Sequence, residues 1–333
     1  METTIEVHEA SQVGEVRRIA ADLARAEDMS ETEVGRVSLV ATEVCTNLVK
    51  YGKHGFVTLS RYAEAQQRGI EIVAVDRGPG FTDFSVSLRD GHSTGGSLGL
   101  GLGSIHRASA FFDVYTVADQ GTALMARVAK AVPGAKRVAA PLIVSGRSRP
   151  KPGQTECGDA WLANLAGTTQ SVCIVDGLGH GPLAATAARL AIKVFEAAAP
   201  GDSPEQILQQ AHLQLKATRG VVMAVLALDA AAGTATFCGV GNIAAVIAGD
   251  AASEHLLSTE GIVGYNLRKV RTQQIAWKAG ATAVLNTDGV STRLSLGKYP
   301  GLVSHHPSLV ASVLFRDYAG QTDDATLVVA RGM

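Results

Sequence analysis

The stretch AKAVPGAKR at residues 129–137 constrains this chain most, because it divides two texts that no single arrangement of layers satisfies. Proline, glycine and three basic residues make an exposed connection that few contacts would cross. Before it, apolar stripes at helical spacing alternate with a few strands; after it, short β-like runs dominate. At about 100–200 residues per domain, a chain of 333 residues favours two domains. The expected division is a first domain at 1–132, a linker at 133–138 and a second domain at 139–333.

In the first part, Val13, Val16, Ile19, Ala20 and Leu23 recur at three or four residues and predict an amphipathic helix over 11–28. Ser30 with Glu33 forms a capping-box pattern, and Val34, Val37, Leu39, Val40, Val44 and Leu48 carry a second helix to Tyr51–Gly52. Strand-like runs follow at Phe56–Tyr62 and Ile70–Val75. A glycine-rich polar stretch, Arg77–Gly103, comes next, then a further helix and strands at Phe111–Val117 and Thr122–Val128. In the second part the short strands fall at 139–144, 160–166, 171–175, 221–228, 234–239, 244–247, 283–286 and 325–330. Helices are expected near 183–198 and 204–217. Ser203, Pro204 and Gln206 give the latter helix its cap, its first-turn proline and its capping-box partner. Many strands around two helices predict a layered β-sandwich with flanking helices.

Charge and cysteines exclude several functions. With 30 Lys and Arg against 31 Asp and Glu, no global field draws the chain to nucleic acid or an anionic membrane, so phosphate binding has to be local. Cys45, Cys157, Cys173 and Cys238 lie far apart without a C-x-x-C pair, which predicts buried free thiols. The start METTIEVHEA has no basic segment followed by an apolar one, and no apolar run reaches the ~18 residues that span a bilayer. A cytoplasmic protein is the expectation.

Three pieces of the first part carry chemistry. In ATEVCTNLVKYG, Glu43 and Asn47 lie four apart on one helix face. In VDRGPGF, Asp76, Gly78 and Gly80 make a turn after a strand; its carboxylate is suited to an exocyclic amine and its glycines to a flat ligand. In GSLGLGLGSIHR, Gly99, Gly101 and Gly103 precede a helix whose free N–H groups favour phosphate. Each alone is equally a plain turn. Together and in this order, with Thr122 in the late strand GTALMARV, they resemble the GHKL (Bergerat-fold) ATPases. Within these they are most similar to the RsbT-type serine/threonine kinases of bacterial partner switching, over about residues 1–130. A P-loop sequence is absent. The resemblance implies that Asp76 binds adenine, Asn47 holds Mg²⁺, Gly99, Gly101 and Gly103 surround the phosphates of ATP, and Glu43 is the general base. It also implies that Arg77–Leu98 is a lid over the nucleotide. A histidine kinase of the same fold is disfavoured, because no helix bearing an acceptor histidine precedes the domain.

In the second part, aspartates close strands or enter glycine turns in CGDAW (Asp159), VDGLGHG (Asp176), NTDGV (Asp288) and TDDATLVV (Asp323, Asp324). Singly these too are turn formers. Only a fold that returns strand ends to one edge gathers them, and gathered carboxylates need a divalent cation. The ordered set, with E-C-G-D and G-V-G-N, resembles the SpoIIE-like metal-dependent protein phosphatases over about 137–332, the small RsbX-like members in particular. That resemblance implies an α-β-β-α sandwich and a site for two Mn²⁺ or Mg²⁺ ions. Asp176 bridges the ions, Gly177 lends its carbonyl, and Asp159, Asp288 and Asp323 complete the set, with Asp324 behind them. Attack by water on phosphoserine or phosphothreonine then needs no covalent intermediate. His180 reads as a general acid or as a loop anchor. Arg147, Arg149 and Lys151 read as a solvated run or as a substrate-placing cation, and His305 and His306 as exposed loop residues.

Taken together, the expectation is an α+β chain with a Bergerat-fold kinase followed by a phosphatase, acting on a STAS-domain regulator or a stressosome-like scaffold. The competing expectation keeps only the phosphatase active and makes the first domain a nucleotide-sensing or partner-binding module, as an anti-sigma factor would be.

Overall fold

The computed structural model describes residues 2–64, 67–80, 101–131, 142–167, 169–248, 253–267 and 269–332. It separates into two compact units, Met1–Ala139 and Ala140–Met333, and the expected linker lies outside the described residues.

In the first unit, β1 (Glu2–Glu6), β2 (Phe56–Glu64), β3 (Gln67–Val75), β4 (Phe111–Val117) and β5 (Gly121–Ala129) form one antiparallel sheet in the order β1-β2-β3-β5-β4. Helices α1 (Ala10–Ala26), α2 (Glu31–Tyr51) and α3 (Leu102–Ala108) pack on one face of it. The Ser30–Glu33 capping box starts α2, with the Glu33 carboxylate accepting from the Ser30 N–H. Val37, Val40, Ala41 and Val44 then point at Leu59, Ile72 and Ala126 in a common core. This packing aims α2 along the sheet, so its Glu43–Tyr51 end lies over the end of β3 where Asp76 follows.

The second unit is two five-stranded antiparallel sheets with helices outside both. One sheet runs β13 (Thr272–Ala276), β10 (Thr234–Val240), β9 (Val221–Asp229), β8 (Thr169–Gly177), β7 (Asp159–Asn164). The other runs β12 (Ser253–Leu256), β11 (Ala244–Ala248), β14 (Thr282–Asn286), β15 (Ala325–Gly332), β6 (Leu142–Arg149). Their inner faces meet through Val172, Leu226, Phe237, Leu285 and Val328, while α4 (Pro182–Glu196) and α5 (Pro204–Gln214) cover the outer face of the first sheet. Helix α6 (Pro307–Tyr318) covers the second.

Three differences from the sequence expectations have physical causes. Helix α6 is missed because Pro307 to Leu314 are buried all round, so no amphipathic stripe marks it, and its cap is the His306 ring accepting from the Ser308 N–H. His306 is therefore buried, and His305 is half-buried. Strand β6 runs on through the arginines. Trp161 lies over Gly146 so closely that a Cβ there would meet its ring at 2.6 Å. Arg147 is not solvated either: it is buried and donates to the hydroxyls of Ser308 (2.7 Å) and Ser312 (3.0 Å) on α6. Arg149 donates to the Gly320 carbonyl and sits over the Phe315 ring.

Candidate functional site

The first candidate site is a pocket open to solvent and walled by Val44, Leu48, Tyr51, Ala74, Leu102 and Leu124. Asn47, Asp76, Gly80 and Thr122 supply its polar lining. Asp76 is 8% exposed, its N–H donates to the Thr122 carbonyl at 2.9 Å, and its carboxylate accepts from the Gly78 N–H at 2.5 Å. Gly78 is dictated by space: a Cβ would lie 2.6 Å from the Tyr51 carbonyl oxygen. Gly80 has φ +64, which glycine adopts without strain. The Thr122 hydroxyl is 3.3 Å from that of Thr116.

Glu43 and Asn47 do meet as their spacing predicts, and Gly101 is what admits them. A Cβ on Gly101 would lie 2.7 Å from Glu43 Oε2 and 3.3 Å from Asn47 Nδ2, so carboxylate, amide and bare backbone share one point at the start of α3. Gly103 sits inside α3 and does not line the cavity. Gly99 and the lid segment from 81 to 98 lie outside the described residues. The apolar walls were not singled out as site residues, although Val44, Leu48 and Tyr51 at i, i+4 and i+7 carry that signal.

The second candidate site lies where the two sheets of the second unit end together. Asp159 and Asp176 are directly opposite each other on β7 and β8. Asp288 follows β14, and Asp323 and Asp324 precede β15. The sheets are tied at this edge by Thr287, whose hydroxyl donates to Asp159 Oδ2 (2.8 Å) and accepts from the Thr326 N–H (2.9 Å). Gly177 donates its N–H to the Gly158 carbonyl (3.0 Å).

The electrostatics here are those of gathered carboxylates. Burial first, then the charges of Asp324 and Asp288, push Asp159 up to about 7 against hydrogen bonds from Thr287 and Thr326. Burial, then Asp159, Asp288, Asp323 and Asp324, push Asp176 up to about 8. Asp159 Oδ1 and Asp324 Oδ2 are buried without a hydrogen-bond partner among the described residues. Such oxygens are costly unless a cation takes them, so the donor set fits divalent metal. Among the described residues no three side chains already enclose an ion.

An open groove borders the cluster, lined by Asp176, Asp288, Asp323, Glu260, Asn242 and His180 among others. Asp323 faces it. Asp324 points inward, with Oδ1 accepting from the Lys151 N–H (2.8 Å) and Oδ2 2.6 Å from where a Cβ on Gly158 would lie. Asn242 donates to Asp288 Oδ2 (2.8 Å), a role that the G-V-G-N motif signals, whereas Glu260 had no signal beyond being an acid in a loop. His180 is exposed and makes no hydrogen bond among the described residues, so it is not a loop anchor. Cys157 is a half-buried free thiol, pushed up to about 12 by burial and then by Asp159.

Comparison with known proteins matches a family to each unit. A histidine kinase-like ATPase domain matches residues 7–128, and the stage II sporulation protein E (SpoIIE) family matches residues 166–332. The serine/threonine-protein kinase RsbT of Bacillus subtilis (strain 168) is 29% identical over 110 residues, 33% of this chain and 83% of RsbT. The phosphoserine phosphatase RsbX of the same organism is 27% identical over 142 residues, 42% of this chain and 71% of RsbX. A structure from work on the bacterial stressosome as a modular system controlling secondary messenger signaling has a TM-score of 0.53 at 29% identity. It covers 57% of this chain and 99% of its own. RsbX in complex with magnesium has a TM-score of 0.50 at 21% identity, covers 58% of this chain and 96% of its own, and speaks for the fold alone. An RsbT-like domain is thus fused to a SpoIIE-type, RsbX-like phosphatase domain. Among the described residues no helix is long and apolar enough to cross a membrane.

Proposed function

The chain belongs to the SpoIIE family, and from that membership we propose a bifunctional regulator of bacterial partner switching. The second unit hydrolyses phosphoserine or phosphothreonine with divalent metal. The first transfers the γ-phosphoryl group of ATP to a serine or threonine of a STAS-domain partner or stressosome-like scaffold. The observation that carries the reading is the gathering of five aspartates at one sheet edge, with buried oxygens on Asp159 and Asp324 that no hydrogen bond among the described residues satisfies.

Mn²⁺ or Mg²⁺ at that edge supplies charge neutralisation and activates water. Asp176, the Gly177 carbonyl, Asp159, Asp288 and Asp323 would hold it. The chain's own contribution is orientation: Thr287 fixes Asp159 and Asn242 fixes Asp288. Asp324 acts behind them, tied to the Lys151 backbone.

In the first unit, Asp76 and Thr122 would receive adenine between the apolar walls, and Asn47 would hold Mg²⁺ against the phosphates passing Gly101. Glu43 then accepts the proton of the attacking hydroxyl as its oxygen bonds to the γ-phosphorus and the bond to ADP breaks. The shared point of Glu43, Asn47 and Gly101 supports this. The names borne by RsbT and RsbX, a protein kinase and a phosphoserine phosphatase, support opposing reactions on phosphorylated side chains.

Incubation with γ-labelled ATP and the STAS proteins of the same source tests the proposal. Glu43→Gln should abolish transfer while keeping nucleotide binding, and Asp176→Asn should abolish Mn²⁺-dependent dephosphorylation while keeping transfer. Nucleotide binding without transfer to any STAS protein would replace the kinase by a sensing or partner-binding module.

A further inference from the structure

Strands β8 and β9 pair in an antiparallel register that continues past their ends. Asp176 is opposite Val222 and Gly177 opposite Val221. The Leu178 N–H donates to the Gly220 carbonyl at 3.2 Å, which carries the pairing one step further. The next step sets Arg219 against Gly179. There the guanidinium lies on the loop itself: a Cβ on Gly179 would be 3.0 Å from Arg219 Nη1. The turn that presents it is fixed from behind, since the Thr218 hydroxyl donates to the Leu215 carbonyl and accepts from the Gly220 N–H at 3.0 Å.

Arg219 is exposed, and among the described residues no carboxylate, hydroxyl or carbonyl pairs with it. Three arginines of this unit are engaged elsewhere: Arg147 with α6, Arg149 with Gly320, and Arg189 with Glu156 at 2.6 Å. Gly179 lines the groove that Asp176, Asp288, Asp323 and Glu260 make acidic. A phosphate ester with two negative charges has to enter that groove. Divalent ions answer the carboxylates, but the oxygens turned away from those ions need a donor on the rim. A planar guanidinium fork with no partner of its own has the chemistry for that.

We propose that Arg219 is a substrate-binding residue of the phosphatase, which takes the phosphoryl oxygens of the phosphoserine or phosphothreonine ester and holds the phosphorus for attack. The inference rests on the phosphatase reading above. In the step it serves, a water oxygen bonds to phosphorus, the ester P–O bond breaks, and the serine or threonine oxygen leaves with a proton, giving the free hydroxyl and inorganic phosphate. Arg219 donates hydrogen bonds throughout and gives up no proton, as its charge is permanent.

The test uses the full chain loaded with Mn²⁺, as wild type, Arg219→Ala and Arg219→Lys. With p-nitrophenyl phosphate and with a STAS phosphoprotein, Arg219→Ala should raise KM about tenfold and leave kcat within about threefold, as expected when a charge-assisted hydrogen bond to the bound ester is removed. Inhibition by inorganic phosphate should weaken by a similar factor. Arg219→Lys should recover part of both, since a point charge replaces the fork. Mn²⁺ affinity and Tm should not move. Unchanged KM and phosphate inhibition overturn the proposal, as does a parallel loss of Mn²⁺ affinity, which would make Arg219 a support of the loop. Should the wild type hydrolyse neither substrate, the phosphatase reading fails separately. Calorimetric binding of inorganic phosphate to the Mn²⁺-loaded wild type and Arg219→Ala then decides for Arg219, with equal affinities refuting it.

Discussion

Gly101→Ala separates catalysis from binding in the first unit. The backbone at Gly101 (φ −116, ψ −25) accepts any residue, so no conformational strain is added. As the residue before α3, a change from glycine to alanine costs about 1 kcal/mol or less, a few degrees in Tm. The new methyl, however, falls 2.7 Å from Glu43 Oε2 and 3.3 Å from Asn47 Nδ2. Glu43 has to retreat by roughly half an ångström or more to reach ordinary contact. Since a misplacement of about 1 Å costs on the order of 10²-fold, transfer to the STAS partner should fall about 10- to 100-fold. The adenine end is on the other wall, so affinity for adenosine, which has no phosphate to pass Gly101, should stay within about threefold by calorimetry, the coupling expected of separated sites. Gly78→Ala should do the reverse. Its methyl meets the Tyr51 carbonyl at 2.6 Å and Asp76 Oδ1 at 2.7 Å, and it should cost nucleotide binding first. Transfer by Gly101→Ala within about threefold of wild type would refute the role given to the Glu43 carboxylate.

In the second unit, Thr287→Val keeps shape but removes the Thr287 donor to Asp159 and the hydroxyl that accepts from the Thr326 N–H. It should cost about 1–3 kcal/mol by denaturant melt and 10- to 100-fold in Mn²⁺ affinity by titration. Asp176→Asn removes a half-buried carboxyl whose ionisation burial and four neighbouring aspartates oppose, so at neutral pH the metal-free protein should melt at least about 2 °C higher while losing the Tm gain that Mn²⁺ gives the wild type. Gly289→Ala would force a methyl into the Asp324 carbonyl, and should destabilise the unit by about 3 kcal/mol or more. Gly297→Ala, whose nearest neighbour is Ser295 Oγ at 4.0 Å, should stay within about 0.5 kcal/mol. Equal melting of the two glycine variants would contradict the crowding at Gly289.

Legibility in the sequence followed how local the cause was. The capping boxes at Ser30 and Ser203 and the apolar stripes of α1, α2, α4 and α5 are short-range signals, and those helices form where the pattern puts them. The aspartates were legible as strand ends, while only the resemblance set Asp324 behind Asp323: Asp323 faces the groove and Asp324 turns inward because Gly158 and the Lys151 N–H receive it, neighbours distant in sequence. Helix α6, buried all along its first eight residues, has no polar face to betray it. Arg147 was misread for the same reason, since two serines on that helix make its burial possible. Arg219 had no signal at all, because only the continued β8–β9 register sets it against Gly179.

The two activities proposed for this chain raise a question of flux that the two sites make concrete. If both domains act on the same residue, each phosphate placed by the first is removed by the second at the high effective concentration that fusion gives. The product is then ADP and inorganic phosphate, with no lasting signal. Wild type with Mg²⁺-ATP, Mn²⁺ and a STAS partner should therefore consume many equivalents of ATP per partner. Asp176→Asn should stop after one equivalent per phosphosite, and Glu43→Gln should consume none. Should the wild type also stop after one, the phosphatase does not touch what the kinase makes. The two halves would then answer to different phosphosites, and fusion would serve to bring both to one scaffold.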